Sequence, residues 1–206
     1  MTFPLHTIFL LSPANLSGER AKMILNPRAG FALAHAVQTA DGAPLGEVFS
    51  FVSGLYFRGK TVYSAAFARP PEPDAGALVI SAGDGFVPVN EPVTAERLRL
   101  WADVQIHERN PAFTEPLVRD AETLERAYGA TSRFVLLGSV ASEKYVRPLT
   151  RVFGDHLLFP SDFVGRGDMS RGALMLRAAR EGAELSYEPV ETAVRRGRRV
   201  AAKRPG

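Results

Sequence analysis

An α/β fold, a single domain with a mostly parallel central sheet of about four or more strands flanked by helices, is what this chain encodes. Four short apolar runs alternate with stretches of helical periodicity, and parallel strands need such crossovers between them. The runs are apolar throughout instead of alternating, as in strands covered on both faces. The 206 residues suffice for one good core and fall short of two comfortable domains.

Residues 6–11 (HTIFLL) read as the first strand, which stops at the turn-forming Ser12-Pro13-Ala14-Asn15. Ser17 is placed to cap a helix with Ala21, Ile24 and Leu25 on one side. A second helix follows over residues 28–39, where Phe31 and Ala34 mark the buried side with Leu33 and Val37 alongside. Residues 41–44 break that pattern. Residues 45–68 carry Phe49, Phe51, Tyr56, Phe57, Tyr63 and Phe67, interrupted by Gly54 and Gly59. They read as two short helices, the second over 60–68. Residues 69–76 hold three prolines and form a surface connection.

Residues 77–81 (ALVIS) make the second strand, ended by Ala82-Gly83-Asp84-Gly85. Thr94 caps a helix that turns Leu98, Trp101 and Ala102 inward. After a loop over 107–114, Pro116 sits in the first turn of the cleanest amphipathic helix, marked by Leu117, Ala121, Leu124 and Tyr128. Residues 133–137 (RFVLL) make the third strand and end at Gly138-Ser139. Ser142 caps a helix that Pro148 kinks or restarts and Gly154 closes. Residues 156–159 make a fourth strand, and Asp168 caps a final helix over 169–181, stopped by Gly182. The domain spans residues 1–194.

Charge and composition narrow the function classes. The formal net charge is +3, yet residues 195–206 (RRGRRVAAKRPG) hold six basic groups and no acid. The other 194 residues carry 19 basic and 22 acidic groups, a net of −3. The basic character therefore belongs to a tail, either one that grips phosphates without sequence preference or a plain disordered, solvated terminus. The absence of cysteine removes disulfides, thiolate nucleophiles, zinc-thiolate sites and iron–sulfur clusters. His6, His35, His107 and His156 have no metal-ligand spacing, so no metal and no cofactor are expected. No run approaches the length of a membrane span, and residues 1–14 lack a basic leader region. A cytoplasmic location without membrane partners is the expectation.

Open parallel sheets bind ligands beyond the carboxyl ends of their strands. The segments after the strands are small and polar here: 12–15, 81–85, 138–142 and 163–171. Any one alone is an ordinary strand-to-helix turn. The densest is Gly165-Arg166-Gly167-Asp168-Met169-Ser170-Arg171-Gly172. An arginine in a first helical turn is electrostatically misplaced unless an anion or acid answers it. Arg166, Ser170 and Arg171 with the free N–H groups suit a phosphate or carboxylate, while Asp168 also serves as a structural cap. Arg58 and Lys60 bracket Gly59 among aromatics that either stack on a base or fill the core. No P-loop, dinucleotide fingerprint or Gly-x-Ser-x-Gly elbow occurs. Proton-transfer candidates are Tyr145, Lys144 and Asp168, with Asp84 and Glu143 less well placed.

Several fragments, in order, resemble the YaaA family of bacterial peroxide-stress proteins. Ser12-Pro13-Ala14 is similar to that family's Ser-Pro-Ala-Lys turn, with Asn15 standing where the lysine would be. Phe57-Arg58-Gly59 and Tyr63 resemble its Phe-Lys-Gly-Asp-Val-Tyr, and residues 81–88 its Ser-Gly-Leu-Tyr-Gly-Val-Leu-Arg-Pro. Residues 142–146 resemble its Ser-Asp-Glu-Tyr-Phe, and residues 166–171 its Arg-Gly-Leu-Met-Ser-Arg, the most specific of the matches. The resemblance implies a related α/β fold with a positively charged cleft, DNA binding and protection of DNA from oxidation.

Three readings follow. The first is an arginine-lined pocket at the sheet's C-terminal edge for a phosphorylated or nucleoside-like ligand. Arg166 and Arg171 would hold the anion, Arg58 and Lys60 would add charge, and Ser12, Asn15, Ser81 and Ser139 would orient the polar part. Such a site would serve an enzyme acting on a nucleobase or glycosidic bond, if it is an enzyme at all. The second is a DNA-binding oxidative-stress protein that uses the cleft or the tail. The third is a non-catalytic interaction subunit with an exposed apolar patch near residues 49–67.

Overall fold

The computed structural model describes residues 6–71 and 75–193, so the middle of the proline connection and the basic segment 195–206 lie outside the described residues. Strand β1 (His6–Leu11) is followed by α1 (Glu19–Leu25), α2 (Ala32–Gln38), β2 (Ala43–Pro44), α3 (Leu45–Ser53) and α4 (Leu55–Phe67). Next come β3 (Ala77–Ile80), β4 (Phe86–Pro88), β5 (Pro92–Val93), α5 (Ala95–Ala102) and α6 (Pro111–Tyr128). The remainder is β6 (Ser132–Leu137), α7 (Glu143–Phe153), β7 (Leu157–Pro160), α8 (Asp168–Glu181) and β8 (Tyr187–Pro189).

The main sheet has the order β4-β3-β1-β6-β7-β8. Its centre, β3-β1-β6-β7, is parallel, and both edge strands are antiparallel. Ile8, Phe9, Leu10 and Leu11 have no solvent exposure, which is why this strand reads apolar without alternation. Leu11 lies beside Val79 on one side and Leu137 on the other. The chain leaves β1 towards β3 and later returns to β6 on the opposite side. The loops after β1 and β6 therefore diverge from adjacent strands, the topological switch where open α/β sheets form a crevice. Helix α4 packs on α8, and α6 on α7.

Several sequence expectations shift. The N-cap of α1 is Gly18, not Ser17, and that of α8 is Gly167, not Asp168, which instead places its charge in the first turn. Ser142 does cap α7 by position but makes no side-chain cap bond, while the Thr94 side chain accepts from Arg97 N at 3.3 Å. Helix α6 starts at Pro111 after Asn110, whose Oδ1 accepts from Ala112 N. Half of the expected loop at 107–114 is thus helical, and Pro116 is interior. Pro148 is likewise carried inside an unbroken α7. Helix α4 begins five residues before residue 60, directly after Gly54 (φ 61°), where only glycine is at ease. The aromatics Phe49, Tyr56, Phe57, Tyr63 and Phe67 are buried, while Phe51 is half-buried and Val62 exposed, so most of the apolar surface expected near residues 49–67 is spent in the core. Among the described residues no helix is long and apolar enough to cross a membrane.

Candidate functional site

The site is set by two close approaches. Gly138, at the end of β6, lies so near Ser12 that a Cβ on it would stand 3.0 Å from the Ser12 Cβ. Gly59 of α4 faces Gly172 of α8: a Cβ on Gly59 would be 2.8 Å from the Gly172 carbonyl oxygen, and one on Gly172 2.7 Å from that of Leu55. The two helices thus touch backbone to backbone. This contact carries Tyr56 and Lys60, one turn apart on α4, against Arg171 and Asp168, one turn apart on α8.

Lys60 is buried to 1% exposure, and its Nζ donates to both the carbonyl oxygen and Oγ of Ser12, each at 2.7 Å. The Nζ also lies 4.0 Å from the Tyr56 ring centroid. No carboxylate forms an ion pair with it among the described residues. Burial holds its pKa down to about 7; the Asp168 charge works upward, and Arg171 and Lys144 push further down. Arg171, also buried, donates Nε and Nη2 to the Phe163 carbonyl at 3.2 and 3.1 Å, and its Nη1 is 3.7 Å from Asp168 Oδ1. Tyr56 Oη is close enough to Ser12 and Arg171 to feel both, yet no partner stands at hydrogen-bonding geometry to it. Burial pushes that phenol up to about 12, against the Arg171 charge. The buried group is thus cationic and contains a hydroxyl without a partner.

Beside it, at the carboxyl ends of β1 and β3 and the first turn of α7, opens a cavity of about 470 Å³. Phe49, Trp101 and Tyr145 give it aromatic walls, Val104 and Ile106 add aliphatic ones, and Asn15, Gln105 and Lys144 supply polar heads. Trp101 Nε1 is buried without an acceptor. Lys144 Nζ sits 4.9 Å from the centroid of the Tyr145 ring. Burial, with the nearby Tyr56, raises the Tyr145 pKa, so this phenol stays protonated at neutral pH.

The residues named from sequence divide accordingly. Ser12, Lys60, Arg171 and Asp168 share the buried group and its edge, and Asn15, Lys144 and Tyr145 line the cavity. Arg58 leaves the set: it is exposed on α4, two residues from Lys60 and on the opposite side of the helix. Arg166 is tied to its own loop, donating to the Asp162 carbonyl at 2.8 Å and to Ser170 Oγ at 3.2 Å, which occupies Ser170 as well. Ser81 is a buried turn residue whose Oγ accepts from Asp84 N. Ser139 is half-buried just past β6. Asp84 is held by Arg97, which also binds Glu91. No arginine lines the cavity; its cation is Lys144. Tyr56, Phe49, Trp101 and Gln105 were not named as site residues. The Tyr56–Lys60 spacing of one helical turn was the available signal, hidden because the helix was started too late. The described residues hold no cluster of His, Asp or Glu able to bind a metal.

No family model, no curated protein and no solved structure matches this chain.

Proposed function

We propose that the chain is a cytoplasmic protein whose rim cavity binds a phosphorylated or nucleoside-like small molecule, with the buried Ser12–Tyr56–Lys60–Arg171 group behind the Pro13–Ala14 stretch of its wall. The observation that carries this reading is the lining of the cavity. Phe49, Trp101 and Tyr145 give flat apolar surface for a base, Asn15 and Gln105 are amides suited to its edge, and Lys144 provides a cation for a phosphate. The volume of about 470 Å³ is that of an ordinary small-molecule site. The sequence resemblance to the YaaA family is compatible with this position, since its Ser-Pro-Ala and Ser-Asp-Glu-Tyr-Phe matches fall on Ser12–Ala14 and on the turn carrying Lys144 and Tyr145.

Trp101 is the chain's single tryptophan and stands in the cavity wall, so its fluorescence reports binding directly. Titration with adenosine 5′-monophosphate should change it saturably, and Lys144→Ala should weaken binding by about tenfold, as loss of one charge-assisted contact does. A flat fluorescence trace with nucleosides and nucleoside monophosphates alike, into the millimolar range, would sink the reading.

Nucleic-acid binding is the second reading, and one surface favours it. Arg109, Arg147 and Arg151 line a groove of about 510 Å³ beside α6 and α7, and none of the three forms an ion pair among the described residues. Glu108 also lines the groove, so three guanidinium groups there face one carboxylate, a net positive surface of the kind a phosphate backbone needs.

A further inference from the structure

A buried amine that hydrogen-bonds a serine hydroxyl and has no carboxylate in contact is a costly arrangement for structure alone. Bridging β1 to α4 needs only an apolar or neutral group at position 60, and an ammonium kept from water forfeits most of its hydration. The location adds to this. Ser12 is the first residue beyond β1, at the switch between β1 and β6, and is followed directly by Pro13 and Ala14, which line the cavity. The Tyr56 hydroxyl, near Ser12 and Arg171, is buried with no partner at hydrogen-bonding geometry, whereas the large majority of buried side-chain polar atoms have one.

We propose that Ser12 and Lys60 are a nucleophile and its general base for acyl transfer, with the Tyr56 hydroxyl as donor to the oxyanion. The substrate class is a carboxylic ester or amide. The inference rests on the cavity reading only for the leaving group, a nucleoside-like alcohol or amine.

In the resting arrangement Lys60 Nζ donates to both Ser12 oxygens at 2.7 Å, and Oγ donates to the Leu137 carbonyl at 3.4 Å. For the reaction a neutral Nζ keeps its bond to the Ser12 carbonyl while Oγ rotates its proton from Leu137 to the Nζ lone pair. The Ser12 oxygen bonds to the acyl carbon, the carbonyl pair moves onto its oxygen, and the Tyr56 O–H donates to that oxygen. Collapse breaks the bond to the leaving group, which takes the proton now on Lys60. Water then repeats the steps: it loses a proton to Lys60, attacks the acyl carbon, and releases a carboxylic acid as Ser12 regains its proton. No oxidant, reductant or metal enters. A pKa near 7 leaves about half the Lys60 amines neutral at neutral pH, and one near 12 keeps Tyr56 a donor. Arg171, beside Tyr56, adds positive charge where the oxyanion would form.

The test uses the full chain and a fluorophosphonate, a reagent that captures activated serines. Intact mass and peptide mapping should find one adduct, on Ser12, absent from Ser12→Ala. The wild-type labelling rate should rise with pH through a midpoint near 7, a readout that needs no variant. Lys60→Met should slow labelling about a hundredfold or more, and Tyr56→Phe, which removes only the hydroxyl without a partner, by about a hundredfold. No adduct on Ser12, a pH-independent rate, or an unchanged rate in Lys60→Met would each overturn the proposal. Excess adenosine 5′-monophosphate should protect Ser12. Labelling that follows the expected pH profile without protection leaves the pair intact and removes the nucleoside-like leaving group.

Discussion

Lys60 also governs how stability depends on pH. Folded, it releases its proton near pH 7; unfolded, it does so near its ordinary 10.5. Below about 7 both states are protonated and the full burial penalty applies. Between the two values the unfolded chain holds the extra proton, so stability rises with pH, by about 1.4 kcal/mol per unit for one group, and levels off above the upper value. Urea unfolding at three pH values from neutral to mildly alkaline should show the midpoint climbing in the wild type. In Lys60→Met that rise should flatten. Parallel curves in both proteins would mean that Lys60 keeps its proton when folded. The residue was named from sequence because Arg58 and Lys60 bracket a glycine, yet the pair was expected to act together. A helix starting at Leu55 puts them on opposite sides, and a two-residue spacing cannot converge on one face. Arg171 was expected to hold a ligand anion; in the fold Asp168 answers part of its charge and the Phe163 carbonyl takes two of its donors, a contact no local pattern reveals.

The crossing of α4 and α8 is the element on which the site depends. A methyl at Gly172 would meet the Leu55 carbonyl at 2.7 Å and the Tyr56 Cα at 2.9 Å, both backbone atoms that cannot rotate away. Gly172→Ala should therefore destabilise by about 1–3 kcal/mol through overpacking, and by moving α4 should weaken the Lys60–Ser12 contact. Gly30→Ala, with nothing within 4 Å of the added methyl, should stay within about 0.5 kcal/mol of wild type. Equal denaturation midpoints for the two variants would contradict the tight crossing. Gly59 and Gly172 were visible as letters, but their meeting joins segments more than a hundred residues apart. The four parallel strands and the long helices were legible because each carries its own period or apolar run. Strands β2, β4, β5 and β8 were not, being two or three residues long and therefore shorter than any period they would display. Helix starts erred for a related reason. Gly18 and Gly167 hold the cap positions by backbone geometry, next to the Ser17 and Asp168 that composition favours.

The whole molecule separates two kinds of positive charge. Within residues 1–194 acids outnumber bases, 22 to 19, and the cations of the site are buried or set in a cavity wall. The segment 195–206 adds six basic groups with no acid. On the two proposed readings, attraction of a polyanion would come chiefly from that segment or from the Arg109–Arg147–Arg151 groove, and recognition of a small ligand from the rim cavity. These two activities should come apart on truncation. A chain ending at residue 194 should keep its adenosine 5′-monophosphate response unchanged, since no cavity residue is lost. If the segment alone grips duplex DNA, its six charges set a ceiling of about −5 on the slope of log affinity against log salt, and truncation should abolish binding. If the groove contributes, binding should survive truncation with a shallower slope, and Arg147→Glu with Arg151→Glu should then remove it. Affinity unchanged by both truncation and charge reversal, or independent of salt, would place nucleic-acid contact elsewhere on the fold and deny both surfaces that role.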